Sequence, residues 1–347
     1  MHKSRNAFLD ITRGMLIVLV VVDHLFQYNL KNYAQDPLFN IIVSFYMPLF
    51  MIISGYIAFI TLRNDSYFEK IKKKFLSLIV PFLAWGFLVG YLVDYSIHQI
   101  SFGDYAQLLF QRPDAGLWFL WVLFLCYLVY YSANSLSKVQ KLIPSLLAEK
   151  ILVLIVVIIL FIPTNYSYGF NLLRLHLPYF YTGILVARNY DFAKRILNRI
   201  KEIIFIAFPV LLIPFNRDSD PGFIVKIFSR LGEFIWIPET IYKYLVAYTG
   251  SIFFVLLVKR LNNKFFKGIF EYLGKNSIDI YAIHLNFIIF LPLGGLLSTG
   301  VPIVNYLVIF TTAIIIVACC LFISNFVIKQ SELGSRIFLG RSLNKIN

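Results

Sequence analysis

The stretch Arg13–His24, RGMLIVLVVVDH, has the apolar content of a membrane-spanning helix but carries ionisable groups at both ends. Arg13 stands at one end, and Asp23 and His24 stand at the other. A charged side chain near the centre of a bilayer costs at least about 2.5–3.5 kcal/mol, so such groups usually face a protein interior or an aqueous cavity. The stretch therefore predicts a first membrane helix that carries part of a functional site.

The composition indicates that the rest of the chain also lies in a membrane. Hydrophobic residues make up 59% of the 347 residues and charged residues only 14%, and the mean hydropathy is +0.75. Soluble proteins carry about 25% charged residues. The net charge of +14 does not require a nucleic-acid partner, because Lys and Arg collect in the cytoplasmic loops of membrane proteins. The three cysteines have neither disulfide nor metal-ligand spacing, and we expect no metal site.

Apolar runs of about 20 residues predict an all-α, polytopic membrane protein with about ten transmembrane helices in a single domain, 1–347. The predicted spans are about 7–28, 38–62, 75–97, 116–133, 150–163, 173–188, 202–216, 242–260, 277–297 and 302–328. A short basic tail, 329–347, follows them. If the N-terminus is cytoplasmic, the inside segments hold 24 Lys and Arg and the outside segments hold 7, as the positive-inside rule predicts. Both termini are therefore expected in the cytoplasm.

The longest segment predicted outside the membrane, 217–241, has its apolar residues near one helical face. An amphipathic helix lying at the outer interface explains this pattern. A lid over an active site explains it as well, and the sequence does not choose between the two.

The ionisable residues of the first span share one side of the helix. Arg13 and His24 are eleven residues apart, so their side chains point in nearly the same direction about 16 Å apart along the axis. Asp10 precedes Arg13 by three residues, a spacing that permits an ion pair, and Asp23 is rotated away from His24. Two alternatives stay open. Asp10 and Arg13 could snorkel to the cytoplasmic interface, and His24 could be a core histidine bonded to a neighbouring helix.

Further polar residues recur at membrane depth, namely Ser54, Trp118, His176, Asp279 and His284. Ser54 is followed by Gly55 in a tract with a proline in mid-span. Such a tract can kink a helix and allow close approach of a backbone or a ligand. Packing explains the tract as well as binding does.

Arg13 and His24 resemble the Arg-x10-His first-helix signature of the membrane acyltransferase-3 family. Four further tracts agree with the family in order: FYMPLFMIISGYI (45–57), LWFLWVLF (117–124), LPYFYTGILV (177–186) and YLGKNSIDIYAIHL (272–285). The last of these is similar to the Gly-Lys-x-Ser…Tyr-x-x-His tract of the branch that includes fucose O-acetylase-like proteins. The resemblance extends over about residues 5–328, and the usual ten-span core of the family agrees with the span count above.

The resemblance implies transfer of an acyl group, usually acetyl from cytoplasmic acetyl-CoA, to a sugar hydroxyl of a surface glycan or its lipid-linked precursor. The expected location is the plasma membrane of a bacterium, where membrane lipid surrounds the chain. Acetyl-CoA would be a donor substrate, and no tightly bound cofactor is expected. His24 would be the catalytic base, with Arg13 and Asp10 completing the catalytic set.

The resemblance also suggests residues that bind the two substrates. Arg13, Lys73 and Lys74 are expected to bind the acyl-CoA donor, and the residues expected at the acceptor are Ser54, Trp118, Tyr281 and His284. The chain departs from the family at Ser77, where a second arginine of an Arg-x-x-Arg pair is expected. Lysines attract CoA phosphates only as point charges, and a solvated inside loop is the alternative for 72–74.

A glycan or lipid transporter, or flippase, without acyl transfer is the competing class. Ten spans with buried charge and a basic cytoplasmic face suit a carrier as well. Carriers often have paired halves with broken helices, and the sequence has no such internal symmetry. The acceptor sugar, the acyl group and the oligomeric state stay open.

Overall fold

The computed structural model describes residues 6–61, 65–92, 95, 99–113, 117–139, 150, 151, 154, 158, 168–217, 226, 227, 232, 236–291, 293, 297 and 301–341. Within these residues the regular elements are helices, and no strand occurs, which confirms the all-α prediction. The helices are α1 (Ala7–Asn29), α2 (Pro37–Ile60), α3 (Tyr67–Gly90), α4 (Phe102–Gln111), α5 (Trp118–Val139), α6 (Phe170–Arg188), α7 (Tyr190–Leu212), α8 (Trp236–Arg260), α9 (Lys264–Lys275), α10 (Ser277–Ile288), α11 (Pro302–Phe326) and α12 (Glu332–Leu339).

Five helices of the described part of the chain are long and apolar enough to cross a membrane. They are Pro37–Ile60, Tyr67–Gly90, Trp118–Ser135, Trp236–Arg260 and Pro302–Gln330. These helices correspond to the predicted spans 38–62, 75–97, 116–133, 242–260 and 302–328. The protein is therefore a helical membrane protein. The number ten, the cytoplasmic location of both termini and the single domain 1–347 stay predictions.

Four other predicted spans are helical but do not belong to that set of five. The spans 7–28, 173–188, 202–216 and 277–297 correspond to α1, α6, α7 and α10. Helix α10 ends at Ile288, short of the predicted 297, where the sequence continues as apolar residues interrupted by Pro292. A proline disfavours helix at the residue before it. The predicted span 150–163 and the segment 217–241 lie largely outside the described residues.

Helix α3 begins at Tyr67, eight residues before the predicted start of its span. Ser66 and Glu69 form a capping box, in which the Ser66 hydroxyl accepts from the Glu69 amide and the Glu69 carboxylate accepts from the Ser66 amide. This box satisfies two amide groups at the helix start. Lys72, Lys73 and Lys74 therefore lie on a helix and not in a loop, because the capped turn precedes the apolar run.

The chain divides into two compact units, which are described separately. Unit 1 comprises Met1–Phe50 and Asn189–Leu321, and unit 2 comprises Met51–Arg188 and Phe322–Asn347. In unit 1, α1 packs against α9 and α10. A Cβ on Gly14 would lie 1.8 Å from the carbonyl oxygen of Phe270, so α1 and α9 cross with their backbones in contact.

Unit 2 contains a second close crossing, between the second half of α2 and α6. A Cβ on Gly55 would lie 1.8 Å from the carbonyl oxygen of Phe180, and one on Gly183 would lie 1.9 Å from that of Ile52. Small residues at a helix interface allow this approach in membranes. The Ser54-Gly55 tract therefore has a packing role at its glycine.

Candidate active site

The first half of the candidate site lies at the first turns of α1, in unit 1. The Asn6 side chain caps the helix by accepting from the amides of Phe8 and Leu9. Asp10 is buried, and its Oδ1 lies 3.8 Å from Nη1 of Arg13. Arg13 also donates from Nη2 to the hydroxyl of Ser277 at 2.8 Å. The arginine therefore contacts Asp10 and Ser277 through separate nitrogens, and its side chain is 19% exposed.

The crossing of α1 and α9 explains how Ser277 reaches Arg13. Gly274 lies against α1, where a Cβ would be 1.8 Å from the carbonyl oxygen of Asp10. Helix α10 begins three residues later, at Ser277. Because the glycine holds the start of α10 beside α1, the serine hydroxyl comes within reach of the guanidinium. The tract around residues 272–285 thus supplies a packing residue and a polar contact.

The second half of the candidate site lies three turns further along α1, where two histidines meet. The ring centroids of His24 and His284 are 5.2 Å apart, with 39° between the ring planes. The Tyr281 ring lies 5.7 Å from that of His284. His284 is fully buried and His24 is half-buried. The structure therefore brings together three of the residues that the sequence singled out.

The main chain of α10 determines the tautomer of His284. Nδ1 of His284 lies 2.8 Å from the carbonyl oxygen of Tyr281 and 3.2 Å from that of Ile280. A carbonyl oxygen only accepts, so Nδ1 must carry the proton, and Nε2 of the neutral ring then has a lone pair. Within the described residues, Nε2 of His284 and Nδ1 of His24 are buried and have no hydrogen-bond partner.

Asp23 faces α2, as its rotation away from His24 predicts. Its Oδ2 accepts from the Tyr46 hydroxyl at 2.7 Å and from Nε2 of Gln27 at 2.8 Å. The carboxylate is completely buried. It belongs to a hydrogen-bond network beside His24, and the network connects α1 to the first half of α2.

Arg217 is a cation close to His24 that the sequence did not single out. It follows α7, its backbone N–H donates to Oδ1 of Asn40 at 3.1 Å, and its guanidinium lies 5.7 Å from the centroid of the Phe39 ring. Its charge interacts with both His24 and Tyr46. In the sequence it is one loop cation among many, and Tyr46 is one of 22 tyrosines, so neither carried a signal. Ser277 could have been found from the sequence, because it lies in the tract at residues 272–285 that resembles the family.

The structure does not bring Arg13 and His24 into contact. Both lie on α1, and eleven residues of helix separate them by about 16 Å. The site in unit 1 therefore has two parts along one helix face. One part contains Arg13 with Asp10 and Ser277, and the other contains His24 with His284.

The remaining predicted site residues belong to unit 2. Nζ of Lys73 lies 2.7 Å from Oδ2 of Asp65, and Nζ of Lys74 lies 3.9 Å from the centroid of the Tyr127 ring. Ser54 is half-buried.

Trp118 in unit 2 stacks on His176, with ring centroids 5.0 Å apart and 30° between the planes. Both side chains are half-buried. His176 is therefore engaged in an aromatic contact between α5 and α6 of unit 2.

Two curated relatives are similar to part of the chain. Nodulation protein NolL of Sinorhizobium fredii is 30% identical over 212 residues, which are 59% of this chain and 55% of the relative. Nodulation protein NolL of Mesorhizobium japonicum is 26% identical over 208 residues, which are 58% of this chain and 53% of the relative. The chain thus spans about half the length of these relatives. No solved structure matches it.

The family comparison covers much more of the chain than these relatives do. The family described as acyltransferase domain matches residues 6–324, which include every predicted site residue. The match contains both halves of the α1 site and the tract that supplies Ser277 and His284. The chain therefore belongs to the membrane acyltransferase-3 family.

Proposed function

We propose that this protein is an O-acyltransferase of the bacterial plasma membrane. It would move an acetyl group from acetyl-CoA to a sugar hydroxyl of a cell-surface polysaccharide or its lipid-linked precursor. Family membership supports acyl transfer. The observation that carries the proposal is the His24–His284 contact on the same face of α1 as Arg13.

His24 is the proposed general base. A neutral imidazole accepts a proton near physiological pH, which makes histidine the commonest residue in this role. The acceptor hydroxyl gives its proton to His24 as its oxygen bonds to the thioester carbonyl carbon. The carbon–sulfur bond then breaks, and the proton passes from His24 to the CoA sulfur. The products are an O-acetyl sugar and CoA with a free thiol.

Arg13 is the proposed donor residue. It lies toward the predicted cytoplasmic end of α1, and acetyl-CoA is a cytoplasmic metabolite. The long pantetheine arm of CoA suits a site whose binding part and reacting part are about three helical turns apart. Asp10 and Ser277 hold the guanidinium in place. We propose Lys73 and Lys74 as contacts of the CoA phosphates on their charge alone.

The proposed acceptor contacts are Ser54, Trp118 and Tyr281. An indole ring and a phenol ring offer apolar faces with a polar edge, which suits the apolar faces and hydroxyl groups of a sugar. His284 has no exposed surface, so in this mechanism it acts through His24. Ser54 and Trp118 belong to unit 2 and Tyr281 belongs to unit 1, and each residue is assigned within its own unit.

The test is label transfer from radiolabelled acetyl-CoA to a glycolipid extract of the source membranes by the purified protein in detergent. We expect wild-type protein to label the glycan, and His24→Ala to lower the rate about 10²–10⁴-fold, as loss of a general base does. Tyr28→Phe, at an exposed position on the same helix, is the control and should keep the rate.

Two results would contradict the proposal. One is transfer by His24→Ala at the wild-type rate while the sample stays monodisperse. The other is transport of glycan across the membrane of proteoliposomes without any acyl transfer, which would support a carrier.

A further inference from the structure

The two histidines of the site are in ring contact, and each has a buried ring nitrogen that no hydrogen bond uses within the described residues. Nδ1 of His24 and Nε2 of His284 are buried, and neither has a hydrogen-bond partner among the described residues. The 5.2 Å between the ring centroids is a spacing at which a small rotation of either ring brings one nitrogen within hydrogen-bond distance of the other.

The direction of such a bond follows from the surroundings of His284. Its Nδ1–H is used on the carbonyl oxygen of Tyr281, so Nε2 can only accept. His24 in turn has to donate from Nδ1, which leaves its Nε2 as the nitrogen with the lone pair. A base needs that arrangement when it takes a proton from a substrate hydroxyl at Nε2.

We propose that His284 is a positioning residue that accepts the Nδ1 proton of His24 and so fixes the tautomer and orientation of the catalytic base. The proposal rests on the function proposed above. In a Ser-His-Asp triad a carboxylate holds the base in this way. Here a neutral imidazole, anchored by the main chain of α10, takes that place.

The nearest carboxylate on α1 is committed to other groups. Asp23 accepts from Tyr46 and Gln27 on the side of α1 that faces α2. Because Asp23 directly precedes His24, the two side chains point about 100° apart around the helix. Asp23 therefore connects α1 to α2 through Tyr46, and in this proposal it is His284 that orients His24.

No net proton transfer to His284 is required. When the acceptor hydroxyl gives its proton to Nε2 of His24, the imidazolium keeps its Nδ1 proton and donates it more strongly to Nε2 of His284. When His24 returns the Nε2 proton to the CoA sulfur, the starting state is restored. The second histidine thus stabilises the charged intermediate state and keeps the first one in the reactive tautomer.

The test compares two amides that differ only in length. The Gln side chain can present its amide oxygen near the place of Nε2, whereas the Asn side chain ends near the place of Nδ1 and reaches only the Tyr281 carbonyl. We expect His284→Gln to keep kcat within a few-fold. His284→Asn and His284→Leu should lower kcat at least about tenfold, with an unchanged KM for acetyl-CoA.

The readout is label transfer from acetyl-CoA to the membrane glycolipid extract, with monodispersity in detergent measured for each variant. A rate for His284→Asn equal to wild type would overturn the proposal, and so would a loss in His284→Gln as large as in His284→Leu. If His284→Leu does not fold, the Gln–Asn comparison still decides. Absence of transfer by wild-type protein, or full activity of His24→Ala, would instead overturn the proposed function.

Discussion

Gly14 of α1 and Gly274 of α9 lie at one helix crossing, and each glycine faces the other helix's backbone. A Cβ on Gly14 would lie 2.9 Å from the amide nitrogen of Gly274, and a Cβ on Gly274 would lie 1.8 Å from the carbonyl oxygen of Asp10. The crossing leaves no room for a side chain. It also holds the start of α10 beside Arg13, where the Ser277 hydroxyl accepts a hydrogen bond.

The first prediction follows from this crossing. Gly274→Ala places a methyl group against main-chain atoms that cannot rotate away, so the two helices must separate. We expect destabilisation of about 1–3 kcal/mol, as overpacking typically costs, together with lower acyl transfer because Ser277 moves away from Arg13. Thermal unfolding in detergent and transfer of label from acetyl-CoA measure the two effects.

Gly268 is the matched control on the same helix. A Cβ there would meet no atom within 4 Å, and alanine favours a helix by about 1 kcal/mol over glycine. Gly268→Ala should therefore keep both stability and activity. If the protein tolerates both substitutions equally well, the crossing of α1 and α9 has room for a methyl group at Gly274.

The second prediction concerns Arg13. Lysine keeps the charge but has a single nitrogen, whereas Arg13 uses two nitrogens on Asp10 and Ser277. Loss of one hydrogen bond that involves a charge costs about 1.5–3 kcal/mol. We therefore expect Arg13→Lys to raise the KM for acetyl-CoA or to lower kcat by tenfold or more, a change that corresponds to a free energy of about that size.

Ser277→Ala tests the positioning part of this prediction. It removes one contact and leaves the guanidinium itself, so its effect should be smaller than that of Arg13→Lys. Unchanged donor affinity and turnover in Arg13→Lys would assign Arg13 a structural role at the cytoplasmic interface.

The third prediction concerns the buried network beside His24. Tyr46→Phe removes the hydroxyl that donates to Asp23 at 2.7 Å and leaves a fully buried carboxylate with one fewer donor. Loss of a donor to a buried acceptor costs about 1–3 kcal/mol. The melting temperature in detergent should fall. An unchanged melting temperature would indicate that the remaining partners of Asp23, Gln27 among them, satisfy the carboxylate.

The fourth prediction concerns topology. The asymmetry of Lys and Arg places Lys73 on the cytoplasmic side and Lys31 outside, and both residues are exposed. In intact cells a cysteine at Lys31 should react with an impermeant thiol reagent, and one at Lys73 should react only after permeabilisation. Of the native cysteines, Cys126 and Cys320 are buried and Cys319 is half-buried within α11, so the protein without an added cysteine is the background control. Labelling at Lys73 in intact cells would contradict the topology.

The sequence by itself determined the features that depend on local chemistry. Hydropathy and the low content of charge established a helical membrane protein, because backbone groups in lipid must be bonded within a segment. Helical periodicity placed Arg13 and His24 on one face of α1, and residue spacing predicted the ion pair with Asp10. The capping residues Ser66 and Glu69 also indicate the start of α3. The span prediction missed this start because it followed the apolar run, which begins later.

The tertiary structure alone decided which distant residues meet these groups. The sequence separates His284 from His24 by 260 positions, and only the crossing at Gly14 and Gly274 sets α10 alongside α1. Arg217 likewise became part of the surroundings of His24 because the chain after α7 is held by Asn40. Helix formation depends on neighbours in the chain, whereas the pairing of helix faces depends on which surfaces allow close approach, and that property belongs to the folded molecule.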